Sequence, residues 1–545
     1  MTTDPAQFAP LAVLIPFLGA ALNFIIVHRN RLQRGVTVGA MVLTLILNAF
    51  MLANVWNQGP QVVHLGDWAA PYGIVMVVDQ LSALMLVVSV VVSLAVLIYA
   101  VSEGVASGDD EGPISIFYPT FLLLVAGVSH AFLAGDLFNL YVGFEILLTA
   151  SYVLLTMGGT AQRIRAGVTY VVVSVISSIL FLISLGMIYG ATATVNMADL
   201  SVKLADLPQG TQMQLHLMLL IAFGVKAAIF PLSFWLPDSY PTASAPVTAV
   251  FAGLLTKVGV YSIIRTETLL FPGTQIKDLL MWVALLTMIV GILGALAQID
   301  IKRMLSFTLI SHIGYMIFGI ALGTQAALAA VVYYIAHHIV IQTSLFLVAG
   351  LIERRGGSTN VDRLAGMLKI SPLLGVLYMI PALNLGGIPP FSGFLGKVAL
   401  LEAGVEAGTW LSYLLVGVSV FVSLLTLMAL IRVWNRVFLR DVDDAEYPDP
   451  VLRATTAEGR RPRTSRAVAG KSGSRFSGRS PVVLLPGTMV GATTALVAVG
   501  VALTVFAGPL FDLADNASEN LSNPDRYVNA VLAPVGPGGV SEEGR

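Results

Sequence analysis

Fourteen runs of about twenty apolar residues follow one another along this chain. They lie at roughly 8–27, 36–55, 79–100, 115–134, 136–157, 167–190, 214–237, 245–265, 277–298, 304–322, 326–351, 372–405 (broken), 410–433 and 483–507. Each is long enough to cross a hydrocarbon core near 30 Å as an α-helix. A backbone in lipid must satisfy its own hydrogen bonds, so runs of this length are read as helices. Only 11% of the 545 residues are charged and 56% are hydrophobic, whereas a soluble domain carries about 25% charge. The expected fold class is an all-α integral membrane protein with about 14 transmembrane helices. An even count puts both termini on one side.

The same composition excludes several functions. A net charge of −1 argues against a nucleic-acid partner. With no cysteine there is no disulfide, thiolate-held iron–sulfur cluster or Cys-based zinc site. The seven histidines are too dispersed for a metal cage. No Walker loop, Rossmann fingerprint or nucleophilic triad is present, so neither cofactor nor enzyme chemistry is expected. The first apolar run lacks a basic leader and a small-residue cleavage site, and reads as a retained helix.

Lysine and arginine set the orientation. With the N-terminus outside, the inner connections 28–35, 101–114, 158–166, 299–303, 352–371 and 434–482, with their flanking helix ends, hold 22 of the 30 basic residues. Lys203, Arg265, Lys277, Arg526 and Arg545 fall to the outer side. This agrees with the positive-inside rule, although the 101–114 loop is acidic. Both termini are therefore expected outside. Residues 434–482, rich in Arg, Ser and Gly, read as a flexible inner linker, and the tail 512–545 as an outer loop.

Two segments carry helix-breaking residues in their middles. One reads Lys226-Ala-Ala-Ile-Phe-Pro231 and on to Pro237-Asp238; the other reads Gly386-Gly-Ile-Pro389-Pro390-Phe-Ser-Gly and on to Lys397. Proline lacks the N–H and clashes with the preceding turn, so each helix should unwind there. Paired interrupted helices five segments apart point to inverted repeats. Helices 4–8 and 9–13 are thus expected to form two inverted five-helix bundles. The resulting domains are 1–114, 115–265, 276–433, the linker 434–482, and 483–545 with the last helix and tail.

Lys226, Lys257 and Lys397 lie inside these apolar segments, as does Glu145. A charge at the bilayer centre costs about 2.5–3.5 kcal/mol on insertion scales, so such residues pair, line a water-filled interior, or move charge. Glu145 lies about 14 Å along a span of roughly 33 Å, and Lys226 is its expected ion-pair partner. At 4 Å and an effective dielectric near 20 the pair is worth about 4 kcal/mol, roughly a thousandfold in proton affinity. Lysine releases a proton far more readily than arginine; lysine at all three places fits proton transfer. Between the bundles lie His312 and, spaced i, i+4, i+8 on one helix face, Tyr334, His338 and Gln342. Histidine relays protons near neutrality. His337 points away from that stripe and reads as structural; His130 and His216, near helix ends, are expected to face an interface. Asp79 and Asp136 begin helices and are expected to complement their N-termini.

These residues carry a resemblance. Gly135-Asp-Leu-Phe-Asn-Leu-Tyr-Val-Gly-Phe-Glu145 with Ser151-Tyr-Val-Leu-Leu155, Phe234-Trp-Leu-Pro-Asp-Ser-Tyr-Pro-Thr-Ala243, Leu255-Thr-Lys-Val-Gly-Val-Tyr261 and Gly387-Ile-Pro-Pro-Phe-Ser-Gly-Phe through Lys397 together resemble the antiporter-like subunits shared by respiratory complex I and Mrp cation/proton antiporters, over about residues 79–433. The wording is closest to the D subunits of the Mrp-type multisubunit Na⁺/H⁺ antiporters. The resemblance implies that Glu145, Lys226, Lys257 and Lys397 line a central ion path. It also implies other Mrp subunits as partners in a bacterial plasma membrane. Gln342 departs from the family, many of whose members place lysine there. The expected function is a proton-conducting subunit of an Na⁺/H⁺ antiporter; the alternative is a proton-pumping membrane subunit of an NADH:quinone oxidoreductase or membrane-bound hydrogenase.

Overall fold

The computed structural model describes residues 5–56, 58–107, 114–273, 276–445, 452 and 485–533. Within them every apolar run lies on helix. These are α1 (Leu11–Ile25), α2 (Asn30–Val55), α3 (Gln80–Ser107), α4 (Ile114–Leu133), α5 (Leu137–Thr156), α6 (Ala161–Thr192), α7 (Gln209–Ala227), α8 (Ala245–Leu270), α9 (Lys277–Leu296), α10 (Ile301–Leu322), α11 (Gln325–Gly356), α12 (Pro372–Gly386), α13 (Ser392–Glu406), α14 (Trp410–Leu439) and α15 (Gly487–Val505). Eleven are long and apolar enough, by length and composition, to cross a membrane. The expected fourteen crossings would need α1, α7 and the α12–α13 pair as well, which are shorter or interrupted.

Burial orders these helices around an axis. The most apolar stretches of α8 and α11 are 100% buried and that of α10 94%, against 28% for α2 and 33% for α14 and α15. A helix apolar on every face and buried on every face is a core helix. The polar residues within these stretches of α8, α10 and α11 therefore face protein rather than lipid.

The two bundles repeat each other in backbone detail. Asp136 pairs with Asn196 in an isolated antiparallel bridge, and Asp300 pairs with Asn360 in another, across the same interval of chain. Leu137 N–H bonds Val195 O at 2.9 Å and Met197 N–H bonds Gly135 O at 3.0 Å; Ile301 N–H bonds Thr359 O and Val361 N–H bonds Ile299 O, both at 2.9 Å. Asp136 caps α5 by accepting from Asn139 N–H, and Asp300 caps α10 by accepting from Arg303 N–H. Each side chain thus satisfies an orphan donor at a helix start.

The breaks repeat too. Ala228 and Gly387 end α7 and α12 in the left-handed region, at φ 60° and 80°. The next residue in each, Ile229 or Ile388, donates its N–H five residues back, at 3.1 Å. This is the double-bonded helix end of a Schellman cap. Pro231 and Pro390 each follow that cap by three residues, with Pro389 inside the second break. Pro237 stands instead in the short turn Leu236–Ser239 after the first. Lysine is not part of the repeat: Lys226 precedes its cap and Lys397 follows its own by ten residues.

Several expectations are corrected. Arg265 is not in an outer connection, because α8 runs on to Leu270. The expected linker starts later than 434, because α14 continues to Leu439; most of it lies outside the described residues. The tail, expected to be a loop, is helical through α16 (Ala507–Ser522) and α17 (Pro524–Leu532). A short antiparallel hairpin, β1 (Gln61–His64) with β2 (Val75–Val78), stands outside the helices.

Candidate functional site

The break in α12 shapes one end of the buried polar file. It leaves carbonyls at a helix C-terminus without intrahelical partners. Lys397, one turn inside α13, turns its ammonium onto them, bonding Leu385 O at 3.0 Å, Gly386 O at 3.3 Å and Ser423 Oγ at 2.8 Å. The negative end of a helix dipole suits a cation. The ammonium also lies 5.2 Å from the Tyr315 ring centroid.

From Tyr315 the file continues through stacked rings. His312 lies 5.5 Å from Tyr315 and 5.2 Å from His338, centroid to centroid, and its Nδ1 is 2.5 Å from Tyr334 Oη. All four side chains are buried. Among the described residues neither ring nitrogen of His338 has a hydrogen-bond partner, and His312 Nε2 has none. One helical turn on, Gln342 is drawn away: its Nε2 donates to Leu305 O at 2.7 Å on α10.

Lys257 is wholly buried on α8. Its ammonium donates to Ala252 O at 2.8 Å, a carbonyl in the wide-turn stretch Phe251–Leu255. Such π-type turns recur at functional sites. α8 and α11 meet closely here, since a Cβ on Gly253 would stand 2.4 Å from Thr343 Oγ1.

The expected ion pair between Glu145 and Lys226 is absent among the described residues. Lys226 donates instead to Ser178 Oγ at 2.9 Å and Ser174 O at 3.5 Å on α6, while Glu145 Oε1 has no hydrogen-bond partner. The ammonium lies 5.3 Å from the Phe144 ring, beside Glu145 in sequence. Residues Phe144, Tyr170, Ser174, Lys226, Trp235 and Leu255 line a cavity of about 20 Å³, enough for one water.

Sequence reading missed several groups. Tyr315 stands three residues beyond His312, on its face, a spacing that could have marked it. Ser174 and Ser178 are one turn apart on α6, where a lysine acceptor could have been sought. His337, set aside as structural, hydrogen-bonds Ser392 Oγ at 3.0 Å at the start of α13. His216 and His130 have partners within the chain: His216 Nε2 lies 2.6 Å from Glu267 Oε1, and His130 Nε2 lies 3.2 Å from Asn139 Oδ1. Asp79 does cap its helix, accepting from Ser82 N–H at 2.8 Å, but its other oxygen binds Arg265.

At the end of the molecule expected to be inside, a cavity of about 600 Å³ opens between α3, α6, α10 and α11, lined by Glu103, Arg163, Asp238, Lys302, Arg303 and Glu353 among others. Lys302 pairs with Glu353 at 2.5 Å and Arg303 with Asp238 at 2.8 Å. It is polar and open, so it hydrates this face.

A family model for the membrane region of NADH:quinone oxidoreductase and Mrp antiporter subunits matches residues 134–426. The chain belongs to this family. Among its relatives, the D-type subunit of the Na(+)/H(+) antiporter of Alkalihalophilus pseudofirmus is 37% identical over 526 residues, covering 96% of this chain and 98% of that one. A chain in the structure of the Mrp complex from Dietzia sp. DQ12-45-1b superposes with a TM-score of 0.85 at 32% identity, covering 98% of this chain and 100% of that one. A chain of respiratory complex I from Thermus thermophilus shares the fold, with a TM-score of 0.74 at 24% identity over 94% of this chain and 100% of that one. The family fits a multi-pass membrane transporter subunit rather than an enzyme.

Proposed function

We propose that this chain is the proton-conducting subunit of a multisubunit Na⁺/H⁺ antiporter, working with other Mrp subunits in the bacterial plasma membrane with both termini outside. Protons move along Glu145, Lys226, Lys257, His338, His312 with Tyr334, and Lys397, coupled to cation efflux. The breaks at Pro231 and Pro237 and at Pro389 and Pro390 supply carbonyls and room within the helices, and Gln342 holds α10 to α11 without carrying charge.

The observation that carries this reading is the state of His338. A buried imidazole with two uncommitted nitrogens, its ring 5.2 Å from that of His312, is costly to keep unless it exchanges hydrogen bonds during turnover. In a dry packing role it would be tied to a carbonyl, as Gln342 is. The Glu145–Lys226 geometry supports a moving charge as well. The lysine rests on Ser178 Oγ and lies 5.3 Å from the ring of Phe144, the residue next to Glu145, and the proposal has it exchange the serine for the carboxylate. A charge crossing 100 mV is worth about 2.3 kcal/mol, comparable with the pair's interaction of about 4 kcal/mol.

The redox-complex alternative is disfavoured by a relative matched along nearly the whole chain that bears the antiporter name. The test is a vesicle assay in an antiporter-deficient host expressing the complete set of subunits. Na⁺ should collapse or build a ΔpH with the natural chain and not with Lys226→Ala. Equal signals from both would contradict the proposal. Co-purification with flavin- and iron–sulfur-bearing subunits would favour the alternative.

A further inference from the structure

Three residues on α8 stand one above another: Lys257, Tyr261 and Arg265, spaced i, i+4, i+8 in the regular helix Thr256–Arg265. They form a polar stripe from the mid-membrane lysine toward the end expected to face outside. Tyr261 Oη accepts from Arg265 Nε at 3.1 Å and donates to Phe132 O at 2.8 Å. Arg265 Nη2 lies 2.5 Å from Asp79 Oδ2 at the head of α3. Both members of that pair are buried, 5% and 3% exposed.

The far C-terminus covers the pair. The guanidinium lies 5.1 Å from the Tyr261 ring and 5.6 Å from the Tyr527 ring on α17. Asn520 on α16 donates to Gln80 Oε1 at 2.7 Å, next to Asp79. Residues more than 400 positions apart in sequence therefore close one end of the first bundle over a single arginine.

We propose that Arg265, held by Asp79 and seated on Tyr261 under α16 and α17, is the seal at the outer end of the proton path from Lys257. Arginine keeps its proton under all working conditions, so it cannot pass one on; paired with Asp79 and covered by Tyr527, it plugs the stripe with a group that neither takes up nor releases a proton. Lys257 points the other way in this structure, onto Ala252 O. Passage outward requires Arg265 and Asp79 to part, which opens the plug and frees the Asp79 carboxylate as a proton acceptor. Arg265 is a positioning and sealing residue, not a carrier.

This inference rests on the proton-path reading, and its test separates the two. The assembled antiporter is reconstituted in proteoliposomes, a ΔpH is imposed without Na⁺, and its decay is followed with an entrapped pH dye. Arg265→Gln is expected to speed the decay at least threefold with subunit co-purification unchanged. A tight Arg265→Gln complex overturns the seal. If Arg265→Gln does not assemble, Tyr261→Phe decides, since it keeps both charges and removes only the phenol that receives Nε. Faster decay upholds the proposal and unchanged decay overturns it. A natural complex that shows no Na⁺-dependent proton movement would instead overturn the path itself.

Discussion

Lys226 bonds Ser178 Oγ at 2.9 Å, and among the described residues Glu145 Oε1 has no hydrogen-bond partner. In the proposed path this is the released half of a two-position arrangement, with the serine as the resting acceptor and the carboxylate as the other. Removing the serine should therefore alter transport without touching a charge. A hydrogen bond to a charged group is worth about 1.5–3 kcal/mol, about a tenfold to hundredfold shift between the two positions. Ser178→Ala is expected to lower Na⁺-dependent proton flux at least threefold, and Ser178→Thr to preserve it, measured as initial ΔpH rates in vesicles with matched complex content.

Lys397 fills the end of α12 by charge, and arginine could do the same. Arginine cannot release its proton at working pH. Lys397→Arg is expected to assemble normally and to lose at least nine-tenths of the Na⁺-dependent flux; Lys257→Arg, in a tighter site, should lose as much and assemble less well. Near-natural flux from Lys397→Arg would assign that lysine a capping role alone.

Much of the fold was legible because its causes are local. Apolar runs give helices, and Pro231 and Pro390 mark the breaks since proline removes a donor wherever it stands. The internal repeat was legible from the breaks, as was the lysine's place before the proline in one and after it in the other. The side-chain partners were not legible. Glu145 and Lys226 looked like a pair because sequence gives depth but not azimuth, and Ser178 competes from a third helix. Arg265 was misplaced because its charge, with Glu267 two residues on, ended the hydropathic run while the helix continued to Leu270. The tail looked loop-like by its Gly, Pro, Asn and Asp content. Yet Leu513, Ala514, Ala517 and Leu521 are buried at helical spacing, a pattern that composition hides and periodicity reveals.

The packing of α9 on α10 gives a purely structural comparison. A Cβ on Gly291 would stand 2.4 Å from the Ser311 backbone nitrogen, and backbone cannot step aside as a side-chain tip can. Gly291→Ala is expected to cost about 1–3 kcal/mol, lowering the thermal midpoint of the purified complex. Flux per assembled complex should stay near natural. A specific loss of flux with unchanged stability would mean that this contact transmits more than packing.

The central claim is that protons pass through the buried rings between the two bundles. Its most direct test is Na⁺-driven ΔpH in proteoliposomes carrying the complete complex with His338→Gln, set beside His337→Gln. Glutamine keeps polarity and approximate size at both sites but cannot take up and hand on a proton. The account expects His338→Gln to abolish at least nine-tenths of the flux in a fully assembled complex, and His337→Gln, bonded to Ser392, to retain a substantial part. Full flux from assembled His338→Gln complex would contradict it.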